Sequence, residues 1–164
     1  MLGLSLSTFT TVHVILCLVA IASGLIVIVG LLASKRRDGW TALYLLSALA
    51  ASATGFGFPF EKLLPSHILG IISLVVLIVA ALARYGLHLA GTWRAIYAVG
   101  AVLGVYFQVF VGIVQAFLKV PALSALAPTQ TEPPFAIAQG VALVIFIAWA
   151  IAAAIKFHPP GRGG

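Results

Sequence analysis

Charge is what this chain has least of: only 7% of its 164 residues are Asp, Glu, Lys or Arg, against roughly a quarter in a soluble domain. With 63% apolar residues, an ordinary soluble fold is excluded and the chain reads as a membrane protein. Cysteine is almost missing too. Cys17 stands alone inside a long apolar run, which excludes an intramolecular disulfide and any CxxC redox or zinc site. There is no segment long enough for a soluble domain, no glycine loop of the phosphate-binding kind and no Ser/His/Asp arrangement. No catalytic residue is assigned on this basis, and the chain reads as a binder more than an enzyme.

What is present is a series of apolar runs, each near the ~20 residues that a helix needs to cross hydrocarbon. They predict an all-α membrane protein, a bundle of five transmembrane helices at about 9–33, 40–60, 67–90, 94–118 and 135–156, forming one domain over 1–164. Residues 119–134 form an outer interfacial loop. The third span is carried past Arg84 to about Ala90, with His88 near its end, because long basic side chains snorkel to the interface. The first span lacks a basic n-region and is too long for a signal peptide, so it is kept as a mature helix.

Positive charge sets the expected topology. Lys35, Arg36, Arg37, Arg84, Arg94, Lys156 and Arg162 fall on one side of this arrangement, and only Lys62 and Lys119 on the other. That asymmetry predicts an outside N-terminus and a cytoplasmic C-terminus. The net charge of +6 is then topological, and nucleic acid is not an expected partner, because the basic residues are scattered over separate short loops. Trp40, Tyr44, Tyr85, Trp93 and Tyr97 cluster at the cytoplasmic boundary as interfacial anchors.

Small residues form stripes that let helix backbones approach closely: Ser23, Gly24 and Gly30 in the first span, Ser47, Ala50, Ala51, Thr54 and Gly55 in the second, and Gly100, Gly104, Gln108 and Gly112 in the fourth. Bundle packing explains them, with the fourth span central. The alternative is an open groove beside them for a lipid or quinone. Gln108, near mid-bilayer, is expected to make an interhelical hydrogen bond.

Polar residues inside spans are informative because an unsatisfied polar group in hydrocarbon is costly and faces a partner or a cavity. His13, His67, Gln115 and Gln139 come from four different spans and lie at one depth near the outer end; with Glu132 they make the expected ligand-binding set. In the outer loop, Thr129-Gln130-Thr131-Glu132 has the spacing of a helix capping box, and Pro133-Pro134 suits a first helical turn. Residues 120–128 are too apolar for water and too short to cross, so they lie in the interface as a short helix or turn. Capping and interfacial packing account for this segment; the functional alternative makes Pro121, Pro128, Pro133 and Pro134 part of a lid over the ring.

His13 and His67 also admit a haem reading, since paired axial histidines hold many b-type haems. No cofactor is expected under the first reading, and no metal site. His67 and His88, 21 residues apart, stand about 31 Å apart on one helix, at opposite faces of the membrane, which argues against a two-haem carrier. A single haem b between His13 and His67 is the alternative. A metal site would need Glu61 or Glu132 folded inward as a third ligand.

The run "YFQVFVGIVQAFLKVPALSALAPTQTEPPFAIAQG", with "TGFGFPF", "PSHILG" and "HVILCLVAIASGLIVIVGLLASKRRDGW" before it, resembles an uncharacterised family of small bacterial polytopic inner-membrane proteins. The resemblance covers nearly the whole chain and implies a multi-pass protein of the bacterial inner (cytoplasmic) membrane, with no activity or site residue attached. The first functional reading is therefore a binding or accessory protein with an outer-face polar pocket for a small amphiphile or a partner subunit. The alternatives are a b-type haem or quinone-linked redox protein and a small-solute transporter, against which stands the thinning of polarity below Gln115. Expected partners are the lipid bilayer and either a membrane-protein subunit or further copies of the chain.

Overall fold

The computed structural model describes residues 5–58 and 65–159. Glu61, Lys62 and Arg162, all used in the charge and ligand arguments above, lie outside that range, as does the expected end of the second span at residue 60. The described residues are helical, with no strand among them. They form α1 (Leu6–Leu32), α2 (Asp38–Gly55), α3 (Pro65–Ala81) with a π-helical turn Leu82–Gly86 continuing it, α4 (Trp93–Lys119), α5 (Pro121–Leu126) and α6 (Pro133–Lys156). Four of these are long and apolar enough to cross a membrane: α1, α3 with its π turn, α4 and α6. At 18 residues, α2 spans about 27 Å, but Ser, Thr and Ala replace larger apolar residues along it. The reason is enclosure: Thr41, Tyr44, Ser47, Ala48, Ala51 and Ser52 are all buried against neighbouring helices.

Helix α4 is the centre, touching α1, α2, α3, α5 and α6. Gly104 on α4 and Gly24 on α1 open a notch for the ring of Tyr44, which is wholly buried. Its hydroxyl donates to the Ala101 carbonyl at 2.8 Å. Close approach and interhelical hydrogen bonds of this kind hold helices together where lipid and side chain are equally apolar. Helix α6 lies on α4 through Phe146, whose ring is 5.6 Å from that of Tyr106. Ile137, Val141, Val144, Ile151 and Ile155 of α6 stay exposed, giving an apolar outer surface.

One end of the bundle gathers Lys35, Arg36, Arg37, Arg84, Arg94 and Lys156. Arg84 donates to Asp38, Arg94 to the Phe157 carbonyl, and the His158 amide to Ser34 Oγ at 2.8 Å. Three expectations are corrected here. Arg84 does not snorkel: its side chain is 5% exposed, paired with Asp38 and placed 5.1 Å from the Tyr97 ring centroid, because a cation inside a bundle is stable only with partners. The helix also stops at Gly86, short of Ala90, and the chain turns through positive φ at His88, Leu89 and Gly91. Nor are Tyr44 and Tyr97 surface anchors; both are buried, and Tyr97 lies 3.3 Å from the Thr41 hydroxyl. Trp40 and Tyr85 remain exposed.

Candidate functional site

At the opposite end, the first half of α1, the end of α2 with Phe56 and Phe58, the start of α3 and the last turns of α4 enclose a cavity of about 600 Å³. Its wall is mostly apolar, with Ile21, Leu69, Phe107 and Val111 among the side chains that form it. Into it come His13 and Cys17 from α1, Ser52 from α2, His67 and Ser73 from α3, and Gln108, Gln115 and Lys119 from α4.

His13 is held by its own neighbours. Its Nδ1 is 2.9 Å from Thr54 Oγ1 and its Nε2 is 3.6 Å from Cys17 Sγ. The single hydroxyl proton of Thr54 is directed at backbone carbonyls, the nearer being Ala50 at 2.8 Å, so its oxygen is left to accept. His13 therefore donates from Nδ1 and presents Nε2 as an acceptor to the Cys17 thiol. Phe58 meets the His13 ring edge-on at 5.2 Å, and Phe56 lies 5.8 Å from the His67 ring. His67 itself is buried.

Gln108 departs from expectation. It makes no interhelical hydrogen bond; among the described residues it has no hydrogen-bond partner, although it is only 9% exposed, and it lines the cavity. Ser52 and Ser73 share that condition, at 9% and 5% exposed. Other buried serines satisfy themselves on their own helix, Ser47 donating to the Leu43 carbonyl at 2.7 Å and Ser23 to that of Val19 at 2.5 Å. The glycine stripe of α4 divides accordingly. A Cβ on Gly104 would meet Leu77 Cδ2 at 2.7 Å and one on Gly100 the Cβ of Ala80 at 3.2 Å, whereas one on Gly112 would have only Ile21 Cδ1 nearby, at 3.9 Å. Close packing serves one half of the stripe; the cavity opens beside the other.

Of the five residues expected to bind a ligand, the structure brings His13, His67 and Gln115 to this cavity and leaves Gln139 and Glu132 outside it. Gln139 donates from Nε2 to the Phe110 carbonyl at 3.2 Å, which joins α6 to α4. Glu132 fastens the loop. Its carboxylate accepts from the Thr129 amide at 3.2 Å, the Thr129 hydroxyl at 2.8 Å and the Thr131 amide at 3.1 Å. These bonds, the Thr129 hydroxyl first, hold the carboxyl below its ordinary pKa. The capping-box expectation is corrected by the same bonds: Glu132 is itself the N-cap of α6, makes no side-chain cap bond, and turns its carboxylate back toward Thr129.

Pro121 opens α5, Pro133 and Pro134 open α6, and Pro128 sits in the turn between them. No residue of 120–134 lines the cavity. Gln130 donates to the Val114 carbonyl at 2.9 Å, so the loop braces the end of α4 from beside it. No group of three or more His, Cys, Asp or Glu among the described residues is placed to hold a metal. Cys17, Ser52 and Ser73 were not expected at a site, since small residues in spans read equally as packing. No protein-family model, curated protein or solved structure matches the chain.

Proposed function

We propose that this is a multi-pass binding or accessory protein of the bacterial inner membrane, in which the cavity holds a small amphiphile. In this reading the chain is one bundle of five spans, α2 being the fifth, with the N-terminus outside, the basic end cytoplasmic and the cavity toward the outer face. The observation that carries it is the convergence of hydrogen-bonding side chains from α1, α2, α3 and α4 on one largely apolar cavity of about 600 Å³. That size lies within the range of small-molecule sites, which combine apolar walls with a few polar groups. The clustering of six basic residues at the other end supports the orientation through the positive-inside rule.

The test is native mass spectrometry, with an absorption spectrum, on protein purified gently from its own membrane. A reproducible bound amphiphile is expected, retained less by Gln115→Leu, which changes the cavity wall, than by Leu118→Ala, whose side chain is outside it and 55% exposed. Equal retention in both variants would overturn the assignment. Because His13 and His67 share the cavity, the spectrum also discriminates the second reading: a Soret band lost in a His13→Ala, His67→Ala variant would replace the amphiphile with haem b.

A further inference from the structure

Gln108, Ser52 and Ser73 are the least expected part of the cavity. Each is at least nine-tenths buried, each comes from a different helix, and none has a hydrogen-bond partner among the described residues. Buried polar groups in proteins are almost always paired, and within a membrane there is no surrounding water to substitute. An unpaired amide and two unpaired hydroxyls lining one cavity therefore mark where a ligand's polar atoms go.

We propose that the ligand is an uncharged amphiphile whose carbonyl or hydroxyl oxygens seat against Gln108, Ser52 and Ser73; this rests on the reading of the cavity as an amphiphile site. Gln108 stands 11 residues before Lys119 on α4, about 16 Å deeper along the helix axis. Lys119 is the one Lys, Arg, Asp or Glu among the residues lining the cavity. An ionised head at the depth of Gln108 would be buried without a counter-charge, which is prohibitively costly, whereas a neutral oxygen loses only its hydrogen bonds to water and regains them here. The three groups suit either polarity of neutral head. A glutamine amide both donates and accepts, and serine hydroxyls rotate to do either. Phe107, Val111 and Ile21 supply the apolar wall for the rest of the molecule. A quinone and a diacylglycerol share this chemistry.

The single cysteine makes the test direct, because Cys17 lines the same cavity. The purified full chain is incubated with a short-chain ubiquinone, with dioctanoylglycerol or with dodecyl phosphate. N-ethylmaleimide alkylation of Cys17 is timed, and bound probe is counted by native mass spectrometry. A neutral probe should bind one to one and slow alkylation about tenfold at ten times its dissociation constant. Gln108→Leu, or the milder Ser52→Ala, Ser73→Ala pair, should weaken that binding about tenfold. Which neutral probe binds tighter identifies the source. Binding of dodecyl phosphate alone would overturn the neutral head while leaving an amphiphile cavity. Neutral binding indifferent to both variants would overturn the seat at Gln108. Binding and protection by none of the three would overturn the cavity reading itself.

Discussion

Replacing Gly104 with alanine should damage the bundle at its tightest point. The added methyl would run into Tyr44 Oη and lie 2.7 Å from Leu77 Cδ2. Both side chains are wholly buried, so neither can move aside without disturbing the packing around it. Overpacking of this kind costs about 2 kcal/mol. Displacing the Tyr44 hydroxyl from the Ala101 carbonyl costs about 0.6 kcal/mol more at the average for interhelical hydrogen bonds in membranes. The expected total is about 2.5 kcal/mol, read as the shift in a reversible unfolding titration in mixed micelles. Tyr44→Phe alone should cost about 0.6 kcal/mol. Because it removes the oxygen that the new methyl strikes, the double variant should lose less than the two single losses together, by about 0.5 to 1 kcal/mol. A neutral Gly104→Ala, or strict additivity in the cycle, would refute the notch as the reason for glycine at this position.

Two further outcomes follow from the ends of the bundle. Hydrogen bonding lowers the Glu132 pKa from its ordinary 4.5, so the bonds stabilise the loop above that value and the stabilisation is lost as pH falls through the lowered one. The Thr129 and Thr131 amide resonances should shift in that acid window and become insensitive to it in Glu132→Gln; an acid response retained in the variant would contradict the assignment. In a Cys17→Ser background, cysteines at Ala125 and His158, both exposed, should label from opposite faces of the membrane. Labelling of both from the same face would overturn the proposed five-span arrangement.

Much of the helical layout is legible in the charge-free runs, because hydrocarbon tolerates little else over ~20 residues. The expected spans 9–33, 94–118 and 135–156 lie within three residues of the ends of α1, α4 and α6. The third span fails at its end for a tertiary reason: Arg84 turns inward to Asp38 and Tyr97, and nothing local to "LARYGLHLA" announces that partner. The same limit governs the site. His13, His67 and Gln115 can be placed at one end by counting along spans, since rise per residue is fixed. Whether an amide pairs with a neighbouring backbone, as Gln139 does, or looks into a cavity, as Gln108 does, depends on how helices turn about their axes. Ser52 and Ser73 are hidden for a related reason. Only the failure of their hydroxyls to bond their own helices distinguishes them from Ser23 and Ser47.

The most direct measurement of the central claim is the native mass spectrum of the gently purified wild-type protein beside Gly112→Phe. A side chain at Gly112 has open space before it, with Ile21 the nearest contact at 3.9 Å, so the phenyl ring fills the cavity without disturbing the packed half of α4. A reproducible bound amphiphile is expected in the wild type, and its loss from a folded variant. A wild-type protein that carries no bound molecule, or a bound mass that Gly112→Phe leaves in place, would contradict the claim.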